Sequence, residues 1–189
     1  MRSDALVAFI PLGAPLSLAN LGAGIVANTN PLDLLGLGVG INPASANIIG
    51  NAALFGTDLG VGGKRPELNI GVGTAFAGLA TTFLKIALQA APDLGAGGNF
   101  QPGTWQDVVS QDNIAIANLT AGAIPFRCPW IPDMPPGLRP RFMRLQFSPM
   151  SATALPSGSF TAGTIAFALV TTVRDDQANK FASKNYAVQ

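Results

Sequence analysis

Two carboxylate pairs, one thiol and a glycine run ending in lysine are the features of this 189-residue chain whose types and spacing could do chemistry. Glycoside hydrolysis needs two carboxyls at a fixed separation. The nearest candidates are Asp107 with Asp112 and Asp175 with Asp176. Neighbours on a strand point to opposite faces, which spoils the second pair, and Asp107 and Asp112 read as turn residues. Histidine is absent, so a hydroxyl nucleophile would need lysine or a carboxylate as its base, and no Ser and Lys stand in such an arrangement. Cys128, the single cysteine, lies in Arg127-Cys128-Pro129-Trp130. With no base to ionise it, it reads as a structural thiol, and it cannot form an intramolecular disulfide. One Cys and no His also exclude a tetrahedral zinc site.

Gly60-Val61-Gly62-Gly63-Lys64 invites comparison with a phosphate loop, but Asp58 stands where that motif needs its first glycine, and Arg65 replaces the magnesium-binding hydroxyl. Gly36-x-Gly-x-Gly lacks the third-glycine spacing of a dinucleotide fingerprint. No cofactor is expected. Asn118-Leu119-Thr120 matches a glycan acceptor, relevant only in a chain secreted from a eukaryote. Arg139, Arg141 and Arg144, with Phe142 between them, are the densest basic cluster. Eleven Lys and Arg against ten acidic residues leave a net charge of +1, so no direct nucleic-acid contact is expected. The cluster reads either as the solvated face of a strand or as a partner contact. Trp105 and Trp130, in a chain that is 7% aromatic, read as core or interface anchors.

The elements that must position these residues follow from composition. Hydrophobic residues make up 48% and charged ones 11%, against roughly a quarter charged in an ordinary soluble domain. Gly (22) and Pro (15) fill about a fifth of the chain. This excludes most disordered segments and argues against helical bundles, and the length suits one domain. Residues 5–26 carry no charged side chain, but Pro11 and Pro15 interrupt any spanning helix. Asp4 and Pro11 argue against a secretory signal, leaving an N-terminal strand followed by a Gly/Pro-punctuated arm. No membrane contact is expected.

Alternation with period two places strands. In Glu67–Val72, Leu68, Ile70 and Val72 share a face opposite Glu67 and Asn69. In Thr82–Ala90, Leu84, Ile86 and Leu88 alternate with Phe83, Lys85 and Gln89. Arg141–Phe147 sets Met143, Leu145 and Phe147 against Arg144 and Gln146. Thr164–Val173 turns Ile165, Phe167, Leu169 and Val173 inward, with Thr164, Ala166, Ala168 and Thr172 outward. Weaker strands are expected at Leu6–Ile10, Leu32–Leu35, Trp105–Val109, Ile114–Asn118 and Ile124–Arg127. Eight or nine short strands between Gly-, Pro-, Asn- and Asp-rich connections predict a single all-β domain, a sandwich or barrel. Residues 10–30 and 36–63 read as irregular arms or loops, the second with a helical turn near Ser45–Leu54, and residues 175–189 as a tail.

Taken together, the second half has a recognisable order. A strand at Leu68–Val72 and another at Thr81–Gln89 precede Thr120-Ala121-Gly122 and an apolar, proline-rich segment. Arg141-Phe142-Met143-Arg144-Leu145, Phe160-Thr161-Ala162-Gly163-Thr164-Ile165-Ala166 and Arg174-Asp175-Asp176-Gln177-Ala178-Asn179-Lys180 follow. With Asp4 and Thr29-Asn30-Pro31-Leu32-Asp33-Leu34, this resembles the jelly-roll capsid cement, or decoration, proteins of tailed bacteriophages of the Bordetella-phage type. Gly36–Gly63 is longer than that family's usual connection, and Phe181-Ala182-Ser183-Lys184-Asn185 replaces its usual ending. The resemblance implies a jelly-roll antiparallel β-sandwich without enzymatic activity. Such a protein is made in the host bacterial cytoplasm and carried on the outside of the virion. It bridges neighbouring major capsid subunits and associates with itself, a dimer being favoured over a trimer. Trp130, Arg139, Arg141, Arg144, Phe181 and Tyr186 are the candidate interface residues. The alternatives are a carbohydrate-binding jelly-roll module and, less in keeping with the residues, an enzyme using Asp107 and Asp112. A surface this poor in charge is expected to be covered by other subunits.

Overall fold

A computed structural model describes residues 2–22, 24–33, 67–94, 101–130, 132–151 and 158–172. Gly36–Gly63, the expected helical turn near Ser45–Leu54, Val173 and the 175–189 tail lie outside these residues.

The fold is an all-β sandwich of two antiparallel sheets. Its strands are β1 (Arg2–Ile10), β2 (Leu16–Ser17), β3 (Ala27–Asn28), β4 (Leu32–Asp33), β5 (Glu67–Val72), β6 (Ala77–Gly78), β7 (Thr82–Ala91), β8 (Gln106–Ala115), β9 (Phe126–Pro129), β10 (Phe142–Ser151), β11 (Phe160–Ala162) and β12 (Thr164–Thr172). One sheet has the order β1-β12-β5-β9, with β2 continuing the edge beside β12; the other is β3-β10-β7-β8, with β4 also on β10. A small β11-β6 pair closes one end.

The pairings are nested. β7 and β8 form a hairpin; β5 pairs with β9, β3 and β4 with β10, and β1 with β12. In the two main sheets the strands before the β7–β8 hairpin thus pair with those after it in reverse order, the small β6–β11 pair standing outside this nesting. Apart from β7 to β8, the main connections cross from one sheet to the other, and the inward side chains of both sheets make one core. Leu68, Ile70 and Val72 of β5, Phe126 of β9 and Val170 of β12 meet Leu84, Ile86 and Leu88 of β7 and Met143, Leu145 and Phe147 of β10 there. Burying a side chain of this size contributes about 1.5–3 kcal/mol.

The expected faces of β5, β7 and β10 agree with this core. Strand β12 differs. Its pairing with β5 steps from Ile165 opposite Val72 to Phe167 opposite Gly71, a bulge at Ala166. One extra residue reverses every later side chain, so Ala168 and Val170 enter the core instead of Phe167 and Leu169. On the outer face, the Phe167 ring lies over Gly71, where an added Cβ would overlap its Cε1. Any larger residue at position 71 would have to displace that ring.

The expected arm at 10–30 contains β2 and β3, and Leu18 within it is fully buried in the core. The amide of Leu18 donates to the Gly163 carbonyl and that of Asn20 to the Phe160 carbonyl. The weak segment Trp105–Val109 falls in one ten-residue strand, β8, from Gln106 on, whereas of Ile114–Asn118 only Ile114 and Ala115 are strand and Ile116–Asn118 form a 3-10 turn. Among the described residues no helix is long and apolar enough to cross a membrane.

Candidate functional site: a polar row across the outer sheet face

The outward side chains of the β3-β10-β7-β8 sheet form one connected row. The strands position it by register. Gln146 stands opposite Asn28, Arg144 opposite Gln89, and Gln89 opposite Asp107. Gln146 Nε2 donates to Asn28 Oδ1 at 3.2 Å, and Gln89 Nε2 lies 3.4 Å from Gln146 Oε1. Gln89 Nε2 donates to Asp107 Oδ1 at 2.7 Å, while Arg144 Nε donates to Gln89 Oε1 at 2.9 Å. Lys85 Nζ completes the row, 3.1 Å from Asp107 Oδ2 and 3.7 Å from Asp112 Oδ1.

Asp107 and Asp112 are therefore strand residues of β8, not the turn residues their types suggested. Five residues apart, they would face opposite ways on a regular strand. The β7–β8 register slips at Val108, between Leu88 opposite Val109 and Gln89 opposite Asp107. That extra residue brings both carboxylates to Lys85 and lets Val108 and Val109 both pack against the core. A second slip lies at Asp112-Asn113, with Asn113 at φ 59°.

Burial pulls the Asp107 pKa up, but hydrogen bonds from Gln89 and Lys85 and the Lys85 charge outweigh it and hold the carboxyl below its ordinary value. A glycosidase acid needs the opposite, a raised pKa. Asp107 therefore lacks the raised pKa which that role calls for. Among the described residues no three His, Cys, Asp or Glu side chains gather to hold a metal.

The three arginines separate. Arg139 is exposed. Arg141 is only 6% exposed, paired through Nη1 with Asp93 Oδ2, and its guanidinium lies 5.3 Å from the Phe142 ring centroid. It joins the start of β10 to the segment after β7 and is not on a solvated face. Arg144 is on the polar row, with its guanidinium 4.2 Å from the Trp105 ring centroid, a cation–π distance. Trp130 is 7% exposed and meets Phe9 edge-on at 5.9 Å, inside the core. Cys128 is also buried there, and burial, with a smaller push from Glu67, raises its pKa to about 11. Phe181 and Tyr186 lie outside the described residues.

The sequence reading missed the amides that connect the row, Gln89, Gln146 and Asn28. Their positions opposite Met143, Leu145 and the alternating apolar residues of β7 were the available signal. Compared with protein-family models and with curated proteins, the chain matches none.

Proposed function

We propose that the sandwich is a jelly roll and that the protein is a structural component of a phage virion. In this reading it is a cement protein that sits on the outer capsid surface and bridges neighbouring major capsid subunits. The observation that carries this reading is the nested order of pairing, β7 with β8, β5 with β9, β3 and β4 with β10, β1 with β12. An eight-position double Greek key with that nesting is a jelly roll, an architecture common in capsid proteins. Fold alone does not assign function; the resemblance in strand order and short motifs supplies the capsid partner.

The chemistry of the outer face supports a role in contact. Lys85 on this face is matched to Asp107 and Asp112, and Arg144 is held by the Gln89 amide and the Trp105 ring, so the face presents few charges without a partner to a covering surface. Each amide of the polar row is placed by strand register and hydrogen-bonded to a neighbour in the row. For a sugar-binding module, Trp130 is in the core and one face of Trp105 is covered by Arg144, which counts against an aromatic platform.

The test is co-sedimentation of the purified chain with expanded phage heads that lack it, followed by thermal disassembly of the shells. Saturable binding and a higher disassembly temperature are expected. A protein that stays in the supernatant and leaves the disassembly temperature unchanged would overturn the reading.

A further inference from the structure

The two sheets end in edges that are treated differently. Sheet edges are commonly blunted by shortness, proline, lysine or irregular pairing. Strand β9 has four residues, follows Pro125 and ends in Pro129. Strands β3 and β4 have two residues each, with Pro31 between them. The pairing of β1 with β12 skips from Ser3 to Ala8. Strand β8 also carries register slips, at Val108 and at Asp112-Asn113, but it runs for ten residues without proline or lysine, and among the described residues only β7 pairs with it. Its two charges are drawn onto the sheet face by Lys85.

We infer that β8 pairs antiparallel with β8 of a second copy, across a two-fold axis at Ser110, joining two five-strand sheets into one. The choice of a second copy follows from the symmetry of the strand. Its regular stretch, Val109–Gln111, is centred on Ser110, and the register slips at Val108 and at Asp112-Asn113 lie on either side of it. A two-fold there sets each slip against the other one in the partner, so the irregularities that would break pairing with an ordinary strand coincide. It also places Asp112 across from Val108 and Asp107 across from Asn113, so no like charges stand opposite each other. The contact is isologous and closes as a dimer. It rests on the cement-protein reading, whose family resemblance implies self-association, and names the surface that carries it.

The test measures mass by sedimentation across a concentration series for the full chain and for Ser110→Lys, with Ser110→Cys treated with a mild oxidant. A wild-type dimer is expected. Ser110→Lys, which sets two ammonium groups against each other at the axis, should raise the dimer dissociation constant by at least about tenfold. Ser110→Cys should cross-link between copies, Cys128 being buried. Circular dichroism of each variant separates loss of the contact from loss of the fold. A monomeric wild type overturns the inference. So does a folded Ser110→Lys that dimerises as the wild type does, or a dimer in which Ser110→Cys does not cross-link. Shell binding by the wild type is measured separately, so the capsid reading can stand when the β8 contact fails.

Discussion

Replacing Gln89 with Met keeps most of the side-chain volume and removes both ends of the amide at the centre of the polar row. Gln89 is 7% exposed and hydrogen-bonds to Asp107 and Arg144, both charged. Hydrogen bonds to charged groups contribute about 1.5–3 kcal/mol when shielded. The Asp107 side chain is 38% exposed, and water can replace part of what is lost, so about 1 kcal/mol for each bond is the appropriate scale. The expected loss of about 2 kcal/mol corresponds to a fall in Tm of about 4–8 °C for a chain of this size. The pH dependence separates this account from a packing defect. The Asp107 pKa is lower in the folded state than in the unfolded chain. Its stabilisation is therefore complete above the unfolded pKa and disappears as pH falls through the folded one. Differential scanning calorimetry of wild type and Gln89→Met near neutral pH and in acid should show a deficit that shrinks by about half in acid. An equal deficit at both pH values would refute the assignment of Asp107 to Gln89, and no deficit would refute the row as a stabilising network.

Gly71→Ala should cost about 1–3 kcal/mol because its Cβ would overlap the Phe167 ring; in urea unfolding, adding Phe167→Ala should recover most of that loss. Arg141→Met and Asp93→Asn should each destabilise the chain, Arg141→Met by about 2–3 kcal/mol. Their double mutant should lose at least about 1 kcal/mol less than the sum, as read from a thermodynamic cycle. Cys128, buried and with its pKa raised to about 11, should resist a thiol reagent at mildly alkaline pH in the native protein and react fully once the chain is unfolded.

Long strands with regular alternation were legible in the sequence. Leu84, Ile86 and Leu88, and Met143, Leu145 and Phe147, announce their faces because each run keeps its period over several residues. Strands β2, β3, β4, β6 and β11, two or three residues long, are too short to show a period and exist only because β10, β12 and each other provide a ladder. Bulges were the second source of error. The reversal after Ala166 and the convergence of Asp107 and Asp112 on Lys85 both depend on one extra residue. Nothing local in the sequence distinguishes that residue from its neighbours. The site was partly legible. Lys85 and Gln89 already stood on the outward face, but neutral amides have no chemical signature until register brings them together. Arg141 and Arg144 are three positions apart, and their different surroundings depend on contacts with Asp93 and Trp105, which only the tertiary fold supplies.

Nested pairing also sets the order in which the chain can become a protein. The β7–β8 hairpin can close early, whereas Arg2 lies beside Thr172, a loop spanning most of the sequence. Closing so long a loop costs entropy before any contact repays it, and sandwiches dominated by such contacts fold in about milliseconds to seconds. On the ribosome, β1 must wait for β12, the last strand described, to be made. Until then, β5 lacks its neighbour β12 and the core lacks Ala168 and Val170. Folding yield should therefore depend on how fast the second half emerges, and synthesis is the stage at which this chain is most exposed to aggregation.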